Sequence, residues 1–156
     1  MNPETYNKYI KILSDELVPA LGCTEPIAIA YVAAKAREVL GSFPERILVK
    51  CSGNIIKNAK GVMVPGTGNM KGIEISAILG VVAGDATKKL EVLNKVKKED
   101  VEKAKFLLKQ GFCELVISEG EPNLEILVTA YKEESFAEVE IKNYHTNITK
   151  IIKNNK

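Results

Sequence analysis

The chain has 156 residues, 46% of them hydrophobic and 27% charged, with a formal net charge of +2 from 22 basic and 20 acidic side chains. That balance suits one globular domain, or one and a half, and excludes an intrinsically disordered chain. The charges are dispersed, no basic block is long and aromatics are 6% of residues, so nucleic acid is not expected as a partner.

The segment MNPETYNKYIKILSDEL mixes acids into its apolar positions and reads as neither a secretory signal nor a transit peptide. Tyr6, Ile10, Leu13 and Leu17 recur at steps of three and four, which predicts an amphipathic helix over 3–20 with Pro3 in its first turn and Gly22 ending it. Thr24 then stands as an N-cap, Glu25 and Pro26 occupy a first turn, and Ile27 to Leu40 form a second helix closed by Gly41. Its Ala28, Ala30, Ala33, Ala34 and Ala36 predict a buried helix that neighbouring backbone approaches closely. The longest apolar run, Pro26 to Ala34, is too short and too alanine-rich to span a bilayer, so no membrane association is expected.

Next, ERILVKCS predicts a strand, and GNIIKNAKGVMVPGTGNMKG is rich in turn residues. IEISAILGVVAGD predicts a third helix, again rich in small residues, from about Lys71 to Ala83. KKEDVEKAKFLLKQG predicts a helix with acids early, Lys109 in the last turn and Gly111 just past the end. The apolar period then falls to two: CELVIS, LEILVTAYKEE, FAEVEIKNY and TNITKIIKN alternate like strands of an antiparallel sheet with one wet face. The predicted class is α+β: alanine-rich N-terminal helices followed by an α/β subdomain with a mainly antiparallel sheet. The expected division is a helical segment over 1–44 and an α+β subdomain over 45–156. The N-terminal helices are unusually apolar and are expected to pack on further helical material, in a second subunit or a second copy of the chain.

Without an export signal, Cys23, Cys51 and Cys113 are expected to be reduced thiols or ligands in the cytoplasm, and no CxxC spacing offers a self-contained zinc site. Cys23 lies at a helix start, where unpaired N–H groups and the helix dipole favour the thiolate that binds metal or attacks an electrophile. The alternative is a small buried hydrophobe. Glu25 neutralises the same helix end. Gly66, Gly68 and Gly72 give GxGxxxG, one residue off a dinucleotide fingerprint and without its acidic partner. That loop either needs positive φ or cradles a carboxylate with its N–H groups and Thr67. Ser52, Asn54 and Asn58 offer polar groups for a ligand's amino and carboxylate ends, or satisfy their own turn. Lys57 reads as a base or a solvated lysine, and the single histidine, His145, has no recognisable catalytic partner.

Together LVPALGCTEPIAIAYVAAKA, SGNIIKNAKGVMVPGTGNMKGIEISAILGVVAGD and HTNI resemble the iron–sulfur serine dehydratase α-chain-like family, and its L-cysteine desulfidase branch most. The similarity runs from about Tyr9 to Ile148. It implies an oxygen-sensitive lyase with a 4Fe-4S cluster and no pyridoxal phosphate, located in the cytoplasm. Such enzymes eliminate HS⁻ or water from a small β-substituted amino acid, L-cysteine or L-serine, and the resulting enamine hydrolyses to pyruvate and ammonia. A cluster held by three thiolates leaves one iron open as a Lewis acid for the leaving group. The resemblance implies Cys23 as a cluster ligand with Thr24 and Glu25 beside it. It also implies Ser52, Gly53, Asn54, Gly66, Thr67 and Gly68 as binding positions for the amino-acid head group. Cys51 and Cys113 match no family cysteine and are expected to be structural. Only the N-terminal part of such an enzyme is matched. The chain is therefore expected to be a fragment, a subunit, or a truncated, non-catalytic relative that keeps an amino-acid or interaction module.

Overall fold

The computed structural model describes residues 4, 24–59, 72–118, 124–142 and 147–154. The helix predicted over 3–20 lies outside these, apart from Glu4. The first described element, α1 (Thr24–Leu40), carries Glu25 in its first turn and Arg37 in its last. Gly41 ends it at φ +83°, a left-handed conformation that glycine adopts without strain, and donates its N–H to the Arg37 carbonyl at 3.0 Å. Two more helices follow strand β1 (Arg46–Ser52): α2 (Gly53–Ala59) and α3 (Ile73–Ala83). The chain continues through a 3-10 turn (Ala86–Glu91) and α4 (Lys98–Lys109) into β2 (Cys113–Ser118), β3 (Glu125–Lys132), β4 (Ser135–Lys142) and β5 (Ile148–Asn154).

The α+β class holds: helices precede a five-stranded sheet of order β2-β1-β3-β4-β5. Three of its four pairings are antiparallel, and β1 with β2 is parallel. The sequence predicts β2 as antiparallel like the rest. It runs parallel because α2, α3 and α4 intervene between β1 and β2, and a long helical crossover returns the chain to the same end of the sheet. The segment GNIIKNA, expected as turn, closes into α2.

Small residues set the packing. α1 and α3 lie side by side, and α1 also packs on β3 and β4. A Cβ built on Gly80 would fall 2.8 Å from the Ala30 Cα and carbonyl carbon, and one on Gly84 would fall 2.8 Å from Ala34 Cβ. Backbone therefore meets backbone here, as the alanine pattern predicts. Ile27 to Ala34 are all buried, and so is nearly all of α3 from Ile73 to Val81. The buried Ser76 hydroxyl is satisfied by the Gly72 carbonyl at 2.8 Å. α1 thus packs against α3 and the sheet of its own chain.

Ile47, Val49 and Cys51 of β1, Ile126, Val128 and Ala130 of β3, and Ala137, Val139 and Ile141 of β4 belong to this core. The alternating residues occupy the opposite face, predicted to be wet. There the structure differs. Leu127, Thr129 and Glu140 are at most 9% exposed. Their polar atoms stay partnered: Thr129 Oγ1 donates to Glu138 Oε1 at 3.2 Å, and Thr149 Oγ1 donates to Glu140 Oε1 at 3.0 Å. Lys142 and Lys150 pair with Glu140 and Glu138 at 3.5 and 3.3 Å. Among the described residues no helix is long and apolar enough to cross a membrane.

Candidate functional site

The parallel strands β1 and β2 end side by side, with Ser52 opposite Ser118. On the other flank of β1, β3 begins at Glu125, and its backbone N–H donates to Ser52 Oγ at 3.3 Å. Ser118 Oγ donates to Glu125 Oε2 at 2.8 Å. Three strands therefore bring two hydroxyls and a carboxylate to one sheet edge. Ser52 is 5% and Glu125 9% exposed, and Ser118 is half-buried. The chain passes from Ser52 directly into α2, whose first residues, Gly53 and Asn54, are exposed. The carboxyl ends of parallel strands are where α/β sheets commonly place ligands, because the chain there turns away and leaves polar groups clustered.

Of the residues singled out from sequence, Ser52, Gly53 and Asn54 fall at this edge. Thr24 opens α1, and Glu25 is half-buried in its first turn. α1 and α2 are in contact, which puts the two helices next to each other. Cys23, Gly66, Thr67, Gly68 and His145 lie outside the described residues. So do the side chains of Thr24 and Asn58. Ser118 and Glu125 were not singled out. Ser118 closes an ordinary alternating strand and Glu125 reads as a wet-face residue, so no local pattern marks either. The parallel pairing of β1 with β2 brings Ser118 to Ser52, and the antiparallel pairing of β1 with β3 brings Glu125 there.

Cys51 is buried and Cys113 partly so, and both are free thiols. Burial, with Cys113, Glu125 and Glu74 nearby, pushes the Cys51 thiol up to about 12. Burial, then Glu74 and Glu114, does the same to Cys113, also to about 12. Among the described residues no group of three or more His, Cys, Asp or Glu is placed to hold a metal ion. The expected cluster ligand, Cys23, lies outside the described residues.

Elsewhere, a cleft of about 390 Å³ is lined by Ala34, Arg37, Glu38, Ser42 and Asp85 among others. Its polar groups are already engaged. Arg37 Nη1 donates to the Val81 and Val82 carbonyls at the end of α3, and its guanidinium lies 5.1 Å from the Phe43 ring. Asp85 accepts from Thr87 Oγ1 at 2.6 Å and Thr87 N at 3.0 Å, bonds that hold its carboxyl below the usual range. Helix capping accounts for both residues.

No protein-family model matches the chain. It is similar to curated proteins named UPF0597 protein. That of Finegoldia magna is 54% identical over 149 residues, 95% of this chain and 36% of the relative. That of Lachnoclostridium phytofermentans is 55% identical over 148 residues, with the same coverage of 95% and 36%. In Treponema denticola the identity is 46% over 154 residues, 99% of this chain and 36% of the relative. The chain thus spans about 36% of the length of the curated relatives it matches. None of these names an iron–sulfur serine dehydratase or a cysteine desulfidase, so the family expected from the three sequence segments is corrected. Part of what carried that resemblance is packing: the alanines of α1 and Gly80 of α3 are dictated by the close approach of the two helices. Similarity at such high identity runs to the UPF0597 proteins.

Proposed function

We propose that this chain is the amino-acid-holding portion of a protein of its relatives' length, and that the ligand is L-serine or L-cysteine. The row Ser52–Ser118–Glu125 carries the binding part of this reading. Two hydroxyls, a carboxylate and the neighbouring Asn54 amide supply both donors and acceptors, which is what a small zwitterion requires. Ser52, Gly53 and Asn54 take the head group, with Gly66, Thr67 and Gly68 as the further binding positions expected from sequence. Calorimetry on the metal-free chain tests it. L-serine or L-cysteine should release heat that disappears in Asn54→Ala, and no heat with either ligand refutes the reading.

The reaction we assign to the longer protein is β-elimination of HS⁻ or water, giving pyruvate and ammonia, in the cytoplasm where thiols stay reduced. Cys23, Thr24 and Glu25 at the start of α1 are this chain's contribution, and Cys23 links the reaction to a 4Fe-4S cluster. Anaerobic reconstitution of the longer protein should give a broad visible band and pyruvate from L-cysteine or L-serine, both lost in Cys23→Ser. Absence of both in the wild type leaves the second reading, a binding module without the reaction. In either reading the chain works in a complex with a second subunit or a second copy, and a clean monomer in sedimentation at micromolar concentration counts against that.

A further inference from the structure

We infer that Glu125 recognises the α-ammonium group of the ligand, so that the site accepts free α-amino acids and rejects their deaminated counterparts. This rests on the binding reading above and adds to it a residue and a selectivity.

Glu125 is 9% exposed and sits between the buried Leu124 and Ile126. Burying a carboxylate is costly unless a cation or several donors meet it. Here one side-chain donor does, the Ser118 hydroxyl on Oε2. Among the described residues no cation pairs with Glu125. Its cross-strand neighbour, Lys142, sends its ammonium 3.5 Å from Glu140 Oε1 instead. Lys50, two residues before Ser52 on β1, is exposed. An ionised carboxylate offers about four acceptor positions, of which Ser118 occupies one.

The chemistry of a ligand group that would suit Glu125 can be narrowed. A guanidinium prefers both carboxylate oxygens in a fork and would have to share Oε2 with the Ser118 hydroxyl. A calcium ion takes about six to eight oxygen ligands, far more than one carboxylate and two hydroxyls provide. A primary ammonium has three donors in a compact head. It can meet Oε1 while the Ser118 hydroxyl keeps its place on Oε2. Ser118 is then a positioning residue that fixes the carboxylate's orientation.

The test compares L-serine with L-glycerate, in which a hydroxyl replaces the ammonium, by calorimetry on the full chain. The wild type should prefer L-serine by about tenfold or more. Glu125→Gln, which keeps the shape and an acceptor for Ser118, should bind L-serine about 10- to 100-fold more weakly and lose the preference. Ser118→Ala should weaken L-serine by a smaller factor and keep the preference, and it carries the test if Glu125→Gln fails to melt cooperatively. A wild type that binds L-serine and L-glycerate equally overturns the inference. So does a Glu125→Gln variant with unchanged affinity and selectivity; both results leave the binding reading intact. A wild type that binds neither L-serine nor L-cysteine overturns both.

Discussion

Gly80→Ala places one methyl group between α1 and α3. The added Cβ would fall 2.8 Å from the Ala30 Cα and carbonyl carbon, and closer still to the Ala30 oxygen. Carbon atoms in contact prefer about 3.5–4.0 Å, so the two helices would have to separate by roughly 1 Å. The obstructing atoms are backbone within a helix buried on every side, and no side chain can rotate out of the way. Overpacking of this kind costs about 1–3 kcal/mol and occasionally more, and the rigidity of both partners puts Gly80 at the top of that range. Alanine returns about 1 kcal/mol through better helix propensity. The net expectation is a loss of about 2 kcal/mol. At about 2–4 °C per kcal/mol for a domain of this size, the melting temperature should fall by about 4–8 °C. Urea or thermal denaturation followed by far-ultraviolet circular dichroism measures it. Gly53→Ala is the control, because nothing lies within 4 Å of a Cβ at that position, and its stability should stay within about 0.5 kcal/mol of wild type. A Gly80→Ala protein as stable as the wild type would show that α1 and α3 do not meet as closely as described.

Arg37→Ala should cost about 1–2 kcal/mol in chemical denaturation, because it removes charged donors from the last carbonyls of α3 and the contact with Phe43. Arg37→Lys should recover only part of this, since an ammonium cannot reproduce the planar guanidinium. With Cys51 and Cys113 thiols at about 12, only about one molecule in ten thousand carries either thiolate at pH 8. In a Cys23→Ser background, Ellman's reagent should therefore titrate both only after urea is added, and rapid reaction of the folded protein contradicts their placement. The same elevation sets a pH dependence. The unfolded thiols lose protons near pH 9 while the folded ones keep theirs, so stability is full below about pH 9 and falls as pH rises toward 12. Melting temperatures should trace that decline, and a Cys51→Ala, Cys113→Ala double variant should show a shallower one.

The sequence foretold α1, with its alanines and its glycine stop, because a helix signals itself through short-range spacing and caps. It foretold α4 and all five strands for the same reason. It missed α2, since Gly-Asn-Ile-Ile-Lys-Asn-Ala has the composition of a turn and gains its helix from packing Ile55 into the core. At the candidate site, Ser52 and Asn54 were legible as short polar side chains where a strand gives way to turn residues, and Gly53 only through the family resemblance. Ser118 and Glu125 were not, since what makes them neighbours is hydrogen bonding between strands 66 and 73 residues away from Ser52 in the chain, as the Ser52–Ser118 pairing and the Ser52–Glu125 bond show.

By itself, then, the amino-acid order determined which segments coil, which extend, and that two helices are slim enough for their backbones to touch. These are properties of a window of a few residues, set by side-chain size and backbone freedom. Tertiary structure alone decided that β2 runs alongside β1, that β3 is covered on both faces, and that a glutamate lies sunk beside two serines. Each of these depends on where a distant strand comes to rest, and no local pattern encodes that.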